Sequence, residues 1–214
     1  MGMIRPTNDA PVTGSSFLGF QEASVLNVND RTGDFSWADL YIDIPLATQN
    51  SNYASTLRLK GTFKRNSDGT VIANSKLVKD IYAFFDAVGY DGGVTSEGTF
   101  CDKGGRNVVI ANELSKFASG KEPDSIDHTF DMYVYVYKEW NKKNQRAYTV
   151  VHNYIQQNNP EGREKLESRI EYLKSNGLLN EATQAQMNTH SNNGTPNTGR
   201  VTIDDVLNTA DSII

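Results

Sequence analysis

Residues 37–44 of this 214-residue chain read WADLYIDI, and residues 56–65 read TLRLKGTFKR. Apolar and polar side chains alternate through both segments, and a period of two indicates β-strands with one buried face. When the apolar sides of both strands face a core, the side chains of opposite parity must point outward. The outward set combines aromatic and basic residues: Trp37, Tyr41, Arg58, Lys60 and Lys64.

Two interpretations fit this outward set. Single-stranded nucleic acid requires rings beside cations, because bases stack on aromatic side chains while Lys and Arg follow the phosphates. The plainer interpretation is an antiparallel hairpin whose outer aromatics cover the sheet and whose lysines are solvated. This stretch supports the two interpretations about equally.

The charge of the chain is unevenly distributed. It has 21 Lys and Arg against 26 Asp and Glu, and a net charge of -5 argues at first against a polyanionic partner. Residues 55–65, however, carry four basic residues and no acidic one, whereas residues 201–214 carry three acidic residues and no basic one. The local distribution, rather than the sum, governs a binding surface.

Several classes of protein are disfavoured by composition. No apolar run approaches the roughly 18 residues that a membrane helix needs, and residues 1–13 lack the pattern of a signal peptide. A single cysteine, Cys101, excludes an intramolecular disulfide framework and fits a reducing compartment. We therefore expect a cytoplasmic protein without membrane contact, in the cytoplasm of the host cell if the chain is viral.

The pattern along the chain predicts a mainly β fold with added helices. An amphipathic helix begins after Ser75 as N-cap and ends at Gly89, between the third and fourth strands. The order β-β-β-α-β-β is that of an OB-fold, a five-stranded, partly open barrel whose sheet face binds oligonucleotides. A β-sandwich or jelly roll typically has seven or eight strands. The predicted strands are residues 17–28, 37–44, 56–65, 130–137 and 147–155.

The predicted domain organisation has four parts. Asn159 as N-cap and Pro160 at the first helical position start a C-terminal helix after the barrel. The polar residues that follow it cannot bury a core. The parts are a disordered lead (1–14), the OB-like barrel (15–158), a helical extension (159–187), and a flexible linker with an acidic tail (188–214).

The hairpin formed by the last two predicted strands carries a second aromatic and basic group. Tyrosines at alternate positions of residues 130–137 favour a packed second layer over a ligand platform. The hairpin tip adds one indole and three cations that suit nucleic acid: Trp140, Lys142, Lys143 and Arg146.

Residues 90–107 are rich in glycine and predict turns around a short strand near residues 99–101. The spacing does not match a phosphate-binding Walker loop, and no Lys-Ser or Lys-Thr pair follows. Lys103 and Arg106 on this glycine-hinged loop are candidates for closing over a bound strand.

No pattern indicates catalysis. His128, His152 and His190 are far apart and have no metal-ligand spacing, and Cys101 has no catalytic signature. Asp39 and Asp43 could in principle form a carbohydrate-directed acid/base pair between aromatic residues. A cross-strand charge pair with Arg58 and Lys60 explains these aspartates more simply. We expect a protein that is not an enzyme and needs no metal or cofactor.

Taken together, these features resemble the single-stranded DNA-binding proteins of bacteriophages. The matching features are the OB-like strand order, the aromatic and basic outer face, the helical extension, the polar linker and the acidic end at Asp204 and Asp205. The resemblance covers the layout of most of the chain and rests on pattern, not on a diagnostic string. One departure is the tail, which has only three aspartates and ends in Ile213 and Ile214 rather than in an aromatic residue.

The resemblance implies sequence-independent binding and protection of single-stranded DNA, or RNA, during replication or recombination. It also implies a tail that recruits replication or recombination proteins or regulates binding, through Asp204, Asp205, Asp211, Ile213 and Ile214. The alternatives are a structural or assembly protein of a virus particle and a carbohydrate-binding β domain. The expected nucleic-acid contacts are Trp37, Tyr41, Arg58, Lys60, Lys64, Arg65, Trp140, Lys142, Lys143 and Arg146.

Overall fold

The computed structural model describes residues 18–49, 51–118 and 130–188. These form two compact units, one of residues 18–138 with 149–179 and the other of residues 139–148 with 180–188. In chain order the strands are β1 (Gly19–Val25), β2 (Asn29–Asp30), β3 (Leu40–Thr48), β4 (Ser51–Gly61), β5 (Gly93–Val94), β6 (Phe100–Cys101), β7 (Asn107–Val108), β8 (Met132–Asn141), β9 (Arg146–Val151) and β10 (Gln156–Gln157). The α-helices are α1 (Lys76–Val88), α2 (Ile110–Leu114), α3 (Pro160–Ser175) and α4 (Gln184–Asn188).

The main sheet is antiparallel and five strands wide. Strand β1 pairs with β3 on one side and with β8 on the other, β4 pairs with the outer side of β3, and β9 pairs with β8. The short strand β2 pairs with β3 on the same side as β1 does. The short strand β10 pairs with β8 on the same side as β9 does. Strands β5, β6 and β7 form a separate small antiparallel sheet. The five long segments agree with the five predicted strands.

The sheet is open, which corrects the predicted barrel. Closure would require the edge strands β4 and β9 to pair, and no such pairing occurs in residues 18–49, 51–118 and 130–188. The physical reason lies in the helices, since α1 packs against one face and α3 against the β8 part of the other, so the apolar side chains are buried in layers without closure. The mainly β class is confirmed, whereas the OB-fold is not.

The main core lies between the sheet and α1. Alternate residues of β3 and β4 point into it, and the register pairs Ile42 with Leu59 and Ile44 with Leu57. Helix α1 contributes a wide apolar stripe that includes Phe84 and Phe85. This packing fixes the parity of β3 and β4, so the intervening residues of both strands must face outward.

The ends of α1 agree with the sequence prediction. Ser75 occupies the N-cap position with extended backbone, although its buried hydroxyl has no hydrogen-bond partner in the described part of the chain. Gly89 follows the helix with φ of 73°, the left-handed conformation that glycine adopts without steric cost.

The tyrosine ladder of β8 is covered by α3. Tyr133, Tyr135 and Tyr137 are buried in a second core against the apolar stripe of α3. The Tyr133 hydroxyl donates to Glu167 at 3.0 Å, and burial, with this hydrogen bond, raises the pKa of Tyr133 to about 12. The ladder is therefore a packed second layer, which was the favoured interpretation. The stripe of α3 consists of Leu166, Ile170 and Leu173.

His152, just after β9, makes stability depend on pH. Its Nδ1 accepts a hydrogen bond from the Tyr154 amide at 3.0 Å, and burial lowers its pKa below the usual 6.5. The unfolded chain thus takes up this proton at a higher pH than the folded protein does. The contribution to stability is intact above pH 6.5 and is lost as the pH falls from that unfolded-state value through the lower pKa of the folded protein.

We expect the His152→Asn variant to lose less stability than the native protein when the pH is lowered from about 7.5 to about 5.5. An asparagine oxygen still accepts from the Tyr154 amide but does not titrate, and the expected difference is on the order of 1 kcal/mol or less. Urea unfolding of both proteins at the two pH values measures it. Equal losses of stability in the two proteins would contradict this role for His152.

Candidate nucleic-acid interface

The outer side of β3 and β4 brings together the predicted aromatic and basic residues. The register places Tyr41 opposite Lys60 and Asp43 opposite Arg58. Because all four positions have the parity opposite to the core residues, they share the outer face. The Lys60 ammonium lies 5.6 Å from the centroid of the Tyr41 ring, within the range of a cation–π contact.

Trp37 reaches this face from a loop rather than from a strand. Strand β3 begins at Leu40, and Trp37 lies in the turn that precedes it, after a 3-10 turn formed by Thr32–Asp34. Its indole is 56% exposed and lies edge-on to Tyr41, with 6.3 Å between the ring centroids. The predicted position of Trp37 within the strand is wrong, but its proximity to Tyr41 is retained.

Tyr41, which is predicted to stack on a base, is covered by another aromatic ring. Phe35 stacks on its ring with 4.1 Å between centroids and an interplanar angle of 20°, and Tyr41 is only 9% exposed. A base therefore has no free face of Tyr41 on which to stack in this structure. The ring instead packs against Phe35 and Trp37, and the most exposed ring of this face is the Trp37 indole.

Arg31 joins the loop to the sheet. Its guanidinium carbon lies 5.3 Å from the Phe35 centroid and 5.7 Å from the Tyr41 centroid. Its Nε donates to Asp34 at 3.0 Å and its Nη1 to Asp43 at 3.2 Å, and these carboxylates raise the pKa of Arg31. The guanidinium is therefore held in place by both carboxylates and both rings.

Asp43 is the acidic centre of this face. Its side chain is 12% exposed, and its two oxygens accept separately from Arg31 Nη1 at 3.2 Å and from Arg58 Nε at 3.0 Å. The expected cross-strand pair between Asp43 and Arg58 is thus present. We use the name outer cluster for the seven residues of this face: Arg31, Phe35, Trp37, Tyr41, Asp43, Arg58 and Lys60.

The backbone of the loop is fixed to β3. The Arg31 amide donates to the Tyr41 carbonyl at 2.8 Å, and the Tyr41 amide donates to the Thr32 hydroxyl at 2.9 Å. The Thr32 amide in turn donates to Asp30 at 2.9 Å. These bonds hold the 3-10 turn against the sheet and so position Phe35 and Trp37 over Tyr41.

The two aspartates considered for acid/base chemistry have other partners. Asp39 accepts a hydrogen bond from the Phe63 amide at 2.7 Å, and Asp43 holds two arginines. Both carboxylates therefore have structural partners, and the arrangement gives no support to a carbohydrate-directed pair.

The remaining predicted cations of this region lie outside the outer cluster. Lys64 is exposed beyond the end of β4. Arg65 donates from Nη1 to the carbonyls of Gly69 at 2.9 Å and Glu97 at 3.1 Å. Arg65 therefore ties two loops together in this structure.

The glycine-rich segment is more ordered than a hinged loop. It contains β5, β6 and β7, and the expected short strand near residues 99–101 corresponds to β6. Lys103 pairs with Asp91 at 2.7 Å and Arg106 with Asp102 at 3.3 Å, although both basic side chains remain exposed.

The hairpin tip belongs to the second unit. Trp140 lies within β8 and is only 9% exposed, while its backbone exchanges hydrogen bonds with Asn180. A base cannot stack on so covered an indole in this structure. The three predicted cations of the tip are all exposed: Lys142, Lys143 and Arg146.

The lead segment (1–14), His128, His190 and the five tail residues lie outside the described residues. Within the described ranges, no group of three or more His, Cys, Asp or Glu side chains could hold a metal ion.

Two members of the outer cluster were missed from the sequence: Arg31 and Phe35. They lie in a polar segment without period, so alternation could not assign them to a face. The available signal was local, because an aromatic residue and an arginine close before a strand can fold back onto its first outward ring.

Comparison with known proteins gives no relative. No protein-family model, curated protein or solved structure matches this chain. A search of the helices in the described ranges finds none with the length and apolarity to cross a membrane. The physical features of the outer cluster are therefore the basis for a functional assignment.

Proposed function

We propose that this protein binds single-stranded nucleic acid without sequence preference, through the outer cluster. The observation that carries the proposal is the 56% exposed indole of Trp37, which lies against Phe35 and Tyr41, the rings that Arg31 and Lys60 contact. Stacking on an aromatic ring tolerates any base, and nearby Arg and Lys side chains neutralise the backbone.

The strand arrangement supports the same proposal. The five long segments follow the order β9-β8-β1-β3-β4, with α1 between the third and fourth of them in sequence. In an OB-fold the second and third strands and the loop between the first two bind oligonucleotides. The outer cluster occupies the corresponding elements, β3, β4 and residues 26–39. We propose that the sheet is an open relative of that fold.

The other predicted cations and the tail extend this proposal. The exposed cations at the hairpin tip, Lys142, Lys143 and Arg146, would add phosphate contacts, and Lys64, Lys103 and Arg106 remain candidates for the same role. The bound polymer would be DNA or RNA in the cytoplasm, during replication or recombination. The tail, with Asp204 and Asp205, would recruit replication or recombination proteins or regulate binding.

The assembly alternative is less well supported. It depended on the tyrosine ladder as an accessible surface, and α3 covers that ladder.

A titration with oligo-dT tests the proposal. The chain has two tryptophans, so a Trp140→Phe variant reports on Trp37 alone and a Trp37→Phe variant on Trp140 alone. We expect oligo-dT to quench the fluorescence of the first variant strongly and of the second weakly, because a base stacks on the exposed indole.

The salt dependence of the same titration supplies a second criterion. If Arg31, Arg58 and Lys60 neutralise three phosphates, the logarithm of the affinity should fall with the logarithm of the salt concentration with a slope of about -2 from these residues. An unchanged fluorescence together with an unchanged anisotropy of labelled oligo-dT would reject the proposal. A response to glycans that is insensitive to salt would favour the carbohydrate alternative.

A further inference from the structure

The two arginines of the outer cluster share one carboxylate. Asp43 Oδ1 accepts from Arg58 Nε and Oδ2 accepts from Arg31 Nη1, at 3.0 and 3.2 Å. Arg31 comes from the loop and Arg58 from the edge strand, so the carboxylate joins two separate elements. No other pair of arginines in the described ranges is held by one carboxylate in this way.

The carboxylate lies beneath the arginines. The Asp43 side chain is 12% exposed, whereas the Arg31 and Arg58 side chains are 45% and 47% exposed. An anion approaching from solvent therefore meets the guanidinium groups before it meets Asp43. This order of exposure makes Asp43 a support for the arginines rather than a competitor for their outer surfaces.

The arginines keep hydrogen-bond donors for a ligand. A guanidinium has five N–H donors, and Arg58 gives Asp43 the one on Nε. Within the described part of the chain, its two terminal nitrogens have no protein acceptor. Arg31 uses Nε and Nη1 and keeps Nη2. Terminal guanidinium nitrogens are well suited to phosphate oxygens.

From this geometry we infer that Asp43 is a positioning residue, which holds Arg31 and Arg58 as a fixed pair for the phosphates of bound nucleic acid. This inference rests on the proposed function. It assigns a binding role to Asp43 although its negative charge by itself would repel a phosphate. Fixing long side chains before binding removes the entropy cost of ordering them on binding. The stacking surface and the fixed pair are then neighbours on one face, because Arg31 also contacts Phe35 and Tyr41.

The test compares two substitutions that change the net charge equally. Asp43→Asn and Asp34→Asn each remove one negative charge beside Arg31. Asp34, however, is 59% exposed and pairs with Arg31 but not with Arg58. Labelled oligo-dT anisotropy would measure the affinity of both variants and of the native protein. We expect Asp43→Asn to weaken binding on the order of tenfold, since two arginines lose their common anchor. We expect Asp34→Asn to bind within about threefold of the native protein or more tightly, because Arg31 keeps its bond to Asp43 and Arg58 is not affected.

The outcomes separate the inference from the proposed function. If the native protein does not bind oligo-dT, the proposed function fails. If it binds and Asp43→Asn binds as tightly as Asp34→Asn, the positioning role is overturned and Asp43 is a competitor. A general effect of net charge would give equal affinities for the two variants, because each substitution raises the net charge by one unit.

A second variant covers the case in which Asp43→Asn does not fold, which urea unfolding would reveal. Arg58→Lys keeps the charge on an exposed edge position but removes the planar fork. We expect it to weaken binding severalfold, and native affinity in this variant would overturn the inference. Asp43→Glu, which preserves the carboxylate, should restore part of the affinity lost in Asp43→Asn.

Discussion

Replacing Trp37 with alanine is expected to lower the affinity for oligo-dT by about 5- to 150-fold, the equivalent of roughly 1–3 kcal/mol for one stacked base. The indole is the most accessible ring of the outer cluster, and both rings beside it are partly or fully covered. Anisotropy of a dye-labelled oligonucleotide is the suitable measurement, because the substitution removes the tryptophan whose fluorescence would otherwise report binding. The slope of affinity against salt should change little, since no cation is lost.

Tyr172 provides a matched control for this substitution. It is also an exposed aromatic residue, at 53%, and the Arg169 guanidinium lies 5.5 Å from its ring centroid. It belongs to α3 rather than to the outer cluster. Tyr172→Ala should leave the affinity unchanged. Equal losses in the two variants would show that exposed aromatic residues contribute without regard to position, and the proposed interface would be wrong.

The Phe84→Ala substitution is expected to destabilise the protein by about 3–5 kcal/mol. Phe84 is fully buried in the main core, where α1 packs against the sheet. Truncation removes apolar contacts and leaves a cavity that the surrounding strands can fill only in part. Urea or thermal unfolding would measure the loss, which is a large part of the stability of an ordinary domain.

Two further variants test the packing of α1 independently. Phe84→Leu retains most of the apolar volume and should be less destabilised than Phe84→Ala. Lys79→Ala, at an exposed position of the same helix, should change stability by no more than about 0.5 kcal/mol. A cost below about 1 kcal/mol for Phe84→Ala would mean that α1 does not pack against the sheet as described.

The parts of the structure that sequence predicts best are those with a regular period. Alternation in β3 and β4 assigned each residue to a face, and the register confirms the pairing of Asp43 with Arg58. The 3.6-residue period and the glycine at its end located α1. Asn159 and Pro160 located the start of α3, where the Asn159 side chain accepts from the Gly162 amide. In each case the prediction depends only on neighbouring residues, through strand alternation, helix periodicity or capping preference.

The incorrect or missing predictions depend on contacts that no regular period of the sequence encodes. Tyr41 has outward parity, yet Phe35 covers it, because a loop without period folds over the sheet. Trp140 was expected in the hairpin turn and lies buried in β8. Whether β4 and β9 meet depends on the twist of the sheet and on how α1 and α3 cover it. No short-range pattern contains that information.

The strict alternation in β4 has a practical consequence for changing this protein. Leu57 and Leu59 point into the core, whereas Arg58 and Lys60 point away from it. The residues of β4 that stabilise the core therefore alternate with those that would contact a ligand under the proposed function, and either set can be substituted while the other is left intact. A combinatorial library at the even-numbered positions alone should yield soluble, folded variants whose attraction for polyanions spans a wide range.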